Sequence, residues 1–322
     1  MKKNILVTGG AGFIGSNLND ELLKTGFSVY SLDNFDAFYE KGTKQNNIRE
    51  ALFHPHYRPY EGDIRDAKML GSIFRDHNID TVVHLASKAG VRPSILSPEE
   101  YFDVNVNGTL SLLKAMQEAG VKKLIFASSS SIYGNNLKIP YSETDVVDFP
   151  ISPYAASKKA TELITHVYHH LYGINVINFR FFTVYGARQR PDLAIHKFFH
   201  KLYTNQPIEI YGDGSTSRDY TYIDDIVKAI ISGIAFLDNT GHAYEIINLG
   251  NSNPVKLLDL ISHIEDVSGR KFIRHHREMQ EGDVNLTFAD ISKARKLLNY
   301  SPDTGIREGL MKFRKWYESN YF

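Results

Sequence analysis

The chain has 322 residues, enough for a large core and, on length alone, about two domains; its 37 Lys and Arg balance 37 Asp and Glu, and it has no cysteine. Balanced charge without a basic block gives no electrostatic footprint for nucleic acid or an anionic membrane, and no apolar run approaches the roughly 18 residues of a membrane span. Without cysteine there are no disulfides, no thiolate nucleophile and no Cys-based zinc site, and an N-terminus that runs from two lysines straight into a strand shows no secretory leader, so a cytoplasmic location is expected.

The apolar run Ile5-Leu6-Val7 leads into Thr8-Gly9-Gly10-Ala11-Gly12-Phe13-Ile14-Gly15, and an amphipathic helix follows through Ile14, Leu18, Leu22 and Leu23. Glycines at 9, 12 and 15 permit a tight turn, the approach of backbone N–H groups to a pyrophosphate, and close packing of helix on strand. The next strand, Ser28 to Leu32, ends at Asp33, 24 residues after Gly9. A carboxylate there accepts hydrogen bonds from ribose hydroxyls and repels a 2′-phosphate, and no cation follows it until Lys41, so a site that takes NAD rather than NADP is expected. The spacing is Gly-x-x-Gly-x-x-Gly rather than Gly-x-Gly-x-x-Gly; the flanking strand and helix weigh against a glycine turn without a ligand.

Further β-branched runs, Thr81–His84, Leu124–Ala127 and Val176–Phe179, alternate with helix-length amphipathic segments up to about residue 180, which predicts a parallel, doubly wound α/β sheet. Ligands of such sheets lie beyond the carboxyl ends of the strands, where Gly9–Gly15, Asp33, Asp63-Ile64, His84–Lys88 and Ser128–Ser131 fall. After residue 180, Gly and Pro punctuate shorter elements (Gly186, Pro191, Pro207, Gly212, Gly214, Gly250, Pro254) and predict a smaller mixed domain packed on the first. The expected division is 1–180 for the dinucleotide and 181–322 for the substrate, with some segments crossing back. His54-x-His56, His169-His170 and His275-His276 lack a convergent ligand set, so no metal site is expected.

Tyr154 and Lys158 stand four apart where a helical pattern begins after Pro153, and so share a helix face. An ammonium beside a phenol favours the phenolate, lowering a pKa of about 10 toward neutrality and making Tyr154 a usable general base. With 19 tyrosines such a pair also arises by chance, as an exposed pair on a helix. The run Ser128-Ser129-Ser130-Ser131-Ile132-Tyr133-Gly134 supports the catalytic reading, because it follows a buried strand and offers hydroxyls to a substrate alcohol. Farther on, Arg180, Arg188, Arg190 and Arg218 stand in or beside aromatic, Gly-rich loops. Arginine's planar fork suits phosphate and carboxylate oxygens, although each is equally well a surface ion pair.

Together these residues resemble the extended short-chain dehydrogenase/reductase family, specifically its NAD-dependent nucleotide-sugar epimerases, and the likeness extends to Gln280-Glu-Gly-Asp283 and essentially the whole chain. The resemblance implies a Rossmann-type NAD domain, a smaller mixed α/β C-terminal domain for a UDP-sugar, and a homodimer through helices near 99–119 and 154–172. It implies Ser129 as the catalytic hydroxyl, Tyr154 as acid/base, and Lys158 on the nicotinamide ribose. Around NAD it sets Gly9, Gly12, Phe13, Ile14, Gly15, Asp33, Asn34, Asp63, Ile64, Leu85, Ala86 and Ser87, together with Tyr154 and Lys158. Around the UDP-sugar it sets Arg92, Ser130, Ser131, Thr183, Arg190, Lys197, Tyr211, Arg218 and Asp283, with Arg218 at the phosphates and Asp283 at the uridine ribose.

Family members that eliminate water carry an Asp-Glu pair after the catalytic hydroxyl, and UDP-glucuronate decarboxylases carry a glutamate two residues beyond it. Here these places are Ser130 and Ser131, so no carboxylic acid protonates a leaving hydroxyl or an enolate carbon, and oxidation followed by re-reduction remains. Asp33–Tyr39, Ala89–Arg92, Phe182–Gly186, Arg188–Asp192 and Met279–Asp283 are most similar to UDP-glucuronate 4-epimerases. Departures are Ser87-Lys88 where Ala-Gln is usual, Pro93 where an aromatic is common, and Ala187 where proline is common. The expected reaction is C4 inversion of a UDP-sugar, UDP-glucuronate first and UDP-glucose or UDP-N-acetylglucosamine next. A net nucleotide-sugar dehydrogenase or reductase and a non-catalytic NAD-binding protein rank behind these.

Overall fold

The computed structural model describes residues 3–278 and 285–322. The first half alternates as the sequence predicts: β1 (Asn4–Thr8), α1 (Phe13–Lys24), β2 (Ser28–Asp33), α2 (Lys41–Ile48), β3 (Tyr57–Glu61), α3 (Ala67–Asp76), β4 (Thr81–His84), α4 (Val91–Leu96), α5 (Pro98–Phe102), α6 (Gly108–Glu118), β5 (Lys123–Ser129), α7 (Pro153–Tyr172) and β6 (Asn175–Phe181). β3 lies outside the runs expected from sequence. It is an exposed edge strand, pairing only with β2 among the described strands, and Pro59 at its centre sits where an edge tolerates a missing N–H donor.

A seven-stranded sheet in the order β3-β2-β1-β4-β5-β6-β10, the last strand being Tyr244–Leu249, forms the centre, and its neighbours pair in parallel. Strand alternation sends Ile5 and Val7 into one buried layer and Leu6 into the other, and likewise Ile125 and Val83 against Leu124 and Val82. Leu18 and Leu22 of α1 cover the first face; Leu70 and Ile73 of α3, with Leu112 and Met116 of α6, cover the second. Burying each such aliphatic side chain contributes about 1.5–3 kcal/mol, so covering both faces specifies the sheet strongly. The order reverses between β1 and β4, and this opens a crevice at the carboxyl edge.

Beyond β6 the chain forms β7 (Thr183–Tyr185), α8 (Ala194–Tyr203), β8 (Ile208–Tyr211) and β9 (Ser217–Tyr222). It then returns to the central sheet: α9 (Ile223–Asn239) adds Ile226, Ile230 and Ile234 to the first layer, and β10 (Tyr244–Leu249) pairs with β6. Residues 223–249 thus belong spatially with the dinucleotide layer, a crossing-back that a boundary at residue 180 does not follow. The remainder comprises β11 (Pro254–Lys256), α10 (Leu257–Ser268), β12 (Arg274–Arg277), α11 (Ser292–Leu298) and α12 (Ile306–Tyr321), with small sheets β11-β9-β7 and β12-β8. Among the described residues, no helix is long and apolar enough to cross a membrane.

Candidate active site

The glycine turn has the geometry of a phosphate cradle. Gly9 has φ of 72°, and a Cβ there would stand 2.7 Å from the backbone nitrogen of Ala86; one on Gly15 would stand 2.2 Å from the Gly9 carbonyl oxygen. Only glycine fits either place, and α1 begins directly after Gly12, so its N-terminus faces the crevice. Asp33 is buried at the end of β2, where Oδ2 accepts the Ala11 N–H at 3.0 Å and Oδ1 accepts the Phe35 N–H at 2.8 Å. One cation nearby was not visible from spacing. Lys44, on α2, is buried with its ammonium 3.5 Å from Asp33 Oδ1. Sequence order places it 11 residues after Asp33, and only the fold of α2 turns it inward. The Cβ-free turn, the helix N-terminus and the buried carboxylate fit a dinucleotide.

The cleft that opens from this turn is lined by Gly9, Gly12, Phe13, Ile14, Gly15, Asp33, Asn34, Asp63, Ile64, Leu85, Ala86, Ser87, Ser129, Ser130, Ser131, Tyr154, Lys158, Thr183 and Arg190. It is also lined by Phe38, Tyr39 and Lys88, which stand in the segments singled out from sequence without an assigned role, and by Lys44, which no motif marked. Arg92, Lys197, Tyr211 and Arg218 lie outside that lining. Arg92 lies on α4, and Tyr211, on β8, donates its hydroxyl to Glu209 at 2.7 Å. Lys197 is exposed on α8. Arg218, on β9, donates to the Ser217 carbonyl at 3.0 Å. Asp283 lies outside the described residues.

Tyr154 is placed by the start of α7. The Ser152 hydroxyl caps the helix by accepting the Ala155 N–H at 3.1 Å, and Pro153 occupies the first turn. The phenol shares the cleft with Ser129, whose hydroxyl acts on it from the end of β5. Alternation along β5 separates the serines: Ser129 turns to Tyr154 and Ser131, whereas Ser128 donates to Glu162 at 2.6 Å on the other side. Lys158, fully buried, donates to the Ala127 carbonyl at 2.7 Å, with its ammonium 5.9 Å from the Tyr154 ring centroid. Burial pushes the Tyr154 phenol up; the Ser129 hydrogen bond and then the Arg190 charge pull it down. Lys158 is itself pulled down to about 7 by burial, with the Glu162 carboxylate pulling back.

The arginines divide. Arg190 lines the cleft, with Nε and Nη2 held by Asp192 at 2.9 and 2.8 Å and its guanidinium 5.1 Å from the Phe38 ring centroid. Arg188 pairs with Asp20 on α1 at 2.7 Å. Arg180 is no anion ligand: it is buried within β6 and pairs with Glu162 at 2.9 Å while donating to the Tyr133 hydroxyl at 3.0 Å. Asp219, next to Arg218 in β9, accepts the N–H groups of Asn251, Ser252 and Ala289 at 2.7, 3.0 and 3.0 Å and so ties backbone segments together.

A family model for GDP-mannose 4,6-dehydratase matches residues 6–313. A UDP-glucuronate 4-epimerase of Thermodesulfobacterium geofontis is 44% identical over 316 residues, covering 98% of this chain and 96% of the relative. The crystal structure of a Bacillus cereus UDP-glucuronic acid 4-epimerase, in complex with UDP-glucuronic acid and NAD, matches with a TM-score of 0.92 and 36% identity, covering 99% of this chain and 100% of that one. That of a Thermotoga maritima UDP-glucose 4-epimerase with UDP-glucose matches with a TM-score of 0.89 and 31% identity, covering 99% and 100%.

Proposed function

Because the chain belongs to the GDP-mannose 4,6-dehydratase family of extended short-chain dehydrogenases/reductases, we propose that it is an NAD-dependent UDP-sugar 4-epimerase whose substrate is UDP-glucuronate, converted reversibly to UDP-galacturonate. The observation that carries this reading is one cleft in which the glycine cradle, Ser129, the phenol of Tyr154, and Ser130, Ser131, Thr183 and Arg190 all meet.

When bound, NAD supplies a reversible hydride acceptor at the sugar's C4. Gly9–Gly15, Asp33 and Lys158 would hold it. Tyr154 takes the proton of the 4-hydroxyl and later returns it, with Ser129 sharing the hydrogen bond. The residues after Ser129 offer hydroxyls and no acid, so elimination has no proton donor there. A 4-keto glucuronate is a β-keto acid, and loses carbon dioxide when its carboxylate bond stands perpendicular to the carbonyl plane. Ser129, Ser130, Ser131, Thr183 and Arg190 hold the carboxylate away from that orientation by charge-assisted and hydroxyl hydrogen bonds.

The working unit in this reading is a cytoplasmic homodimer. Its support is an apolar stripe on α7, where Leu163, Val167 and Leu171 are 57%, 49% and 61% exposed, beside the exposed Phe102 of α5.

The test is turnover of UDP-glucuronate, UDP-glucose and UDP-N-acetylglucosamine, each separately and without added cofactor, with the epimers resolved. UDP-galacturonate as the dominant product is expected. In the same panel Arg190→Ala should depress UDP-glucuronate turnover far more than UDP-glucose turnover. Product from UDP-glucose alone would reassign the substrate.

A further inference from the structure

The segment 34–40 between β2 and α2 has no regular secondary structure, yet it lies along the dinucleotide cleft and lines it with Asn34, Asp36, Phe38 and Tyr39. It is folded on itself by a relay of side-chain acceptors. Asp33 takes the Phe35 N–H at 2.8 Å, Asn34 the Asp36 N–H at 3.0 Å, and Asp36 the Phe38 N–H at 2.9 Å. These local turns give the segment a shape of its own, independent of the sheet. Among its fastenings to the rest of the molecule, Asn34 donates to Asp63 at 3.0 Å, Asp36 pairs with Lys88, Phe38 lies against Arg190, and Tyr39 lies against Lys44.

We propose that Lys88, through Asp36, holds the segment 34–40 closed over the dinucleotide and so slows cofactor release; the inference rests on the NAD-dependent reading above. Lys88 is built as a fixed post. Its N–H donates to Asn105 Oδ1 at 2.8 Å and its carbonyl accepts from Asn105 Nδ2 at 3.1 Å, and Asn105 is buried. From that post the ammonium reaches Asp36 at 3.2 Å and Glu100, on α5, at 2.7 Å. Two carboxylates share one cation, so removing the cation does more than release the segment: it leaves Asp36 and Glu100 as like charges that repel. The Lys88 side chain is 14% exposed, whereas Asp36 and Glu100 are 30% and 49% exposed, so the fastening is open to salt. An enzyme that regenerates its NAD at every turnover gains from such a hold, because cofactor lost in the reduced state would leave the 4-keto sugar stranded.

The experiment loads the protein with NAD and follows its escape into an excess of an NAD-consuming dehydrogenase. Lys88→Met and Asp36→Asn should each release NAD about three- to tenfold faster than the parent at low salt, the range expected for a partly exposed ion pair that also relieves a repulsion. The parent's release should accelerate as salt rises from about 50 to about 500 mM, and that of Lys88→Met should not. The double variant should release no faster than either single one. Equal release rates and equal salt response in parent and variants would overturn the clasp while leaving the epimerase reading in place. A parent that binds no NAD would overturn both. Asp36 lies on a loop between elements, so its variant keeps the test valid if Lys88→Met does not fold.

Discussion

Lys158 carries its amine into a fully buried position and donates a hydrogen bond to the Ala127 carbonyl, and burial draws its pKa from the ordinary 10.5 to about 7. In the unfolded chain the same amine keeps its ordinary value. Between about pH 7 and 10.5 the unfolded state therefore binds a proton that the folded state does not, and stability from this group rises with pH across that window. Replacing Lys158 by Met should flatten the rise: between about pH 7 and 9.5 the melting temperature of the parent should climb relative to that of the variant. Parallel melting curves would show the amine to be charged in the folded protein throughout. At Tyr154 the opposing influences are different groups. Burial raises the phenol, while Ser129 and Arg190, from opposite halves of the chain, lower it. The spacing of Tyr154 and Lys158 puts both on one helix face and in one cleft, but it does not show that Arg190 acts on the phenol as well.

At the scale of elements, α7 is bolted to the sheet by polar groups as well as by packing. Glu162, one turn beyond Lys158, accepts from Ser128 of β5 and pairs with Arg180 of β6, whose guanidinium also lies 5.0 Å from the Tyr133 ring centroid. Tyr133 in turn donates to Asn248 of β10 at 2.7 Å, so one network joins the catalytic helix to three strands. Both members of the ion pair are 1% exposed, and breaking such a pair from one side leaves a bare buried charge. Arg180→Met should cost about 3–5 kcal/mol in urea unfolding, and adding Glu162→Leu should recover a large part of it. A single variant as stable as the parent would mean that Glu162 takes a proton instead. From sequence, Arg180 reads as one more arginine near an aromatic loop, and its burial becomes visible only once β6 is seen to lie between β5 and β10.

For the whole molecule, the sheet with both faces covered leaves its ligands one crevice, and the chain supplies that crevice from both halves, with the glycine turn on one side and Thr183 and Arg190 on the other. Among the described residues, the outer side of α7 is an apolar surface that the fold does not cover. Leu163, Val167 and Leu171 follow one another at helical spacing along it. Placing glutamate at Leu163 and Val167 should turn a dimer into a monomer in sedimentation, with helix content unchanged by circular dichroism. A monomer already present in the parent would remove the dimer from the proposal.

The sequence alone determined the features whose parts are neighbours along the chain. The glycine turn, Asp33 at the end of its strand, Tyr154 with Lys158, and the alternating runs that make a doubly wound sheet are all set by periods of two or about three and a half residues, so local stereochemistry suffices to read them. Tertiary structure alone decided the rest. It chose which arginine enters the cleft and which becomes a buried strut, brought Lys44 to Asp33, returned β10 to the central sheet, and set Lys88 between Asp36 and Glu100. Lys88 and Asp36 are 52 positions apart in the chain, and Arg180 and Tyr133 are 47 apart. Charge and hydrogen bonding act across a few ångströms of space, and no period of the chain encodes which distant groups the packed sheet brings within that reach.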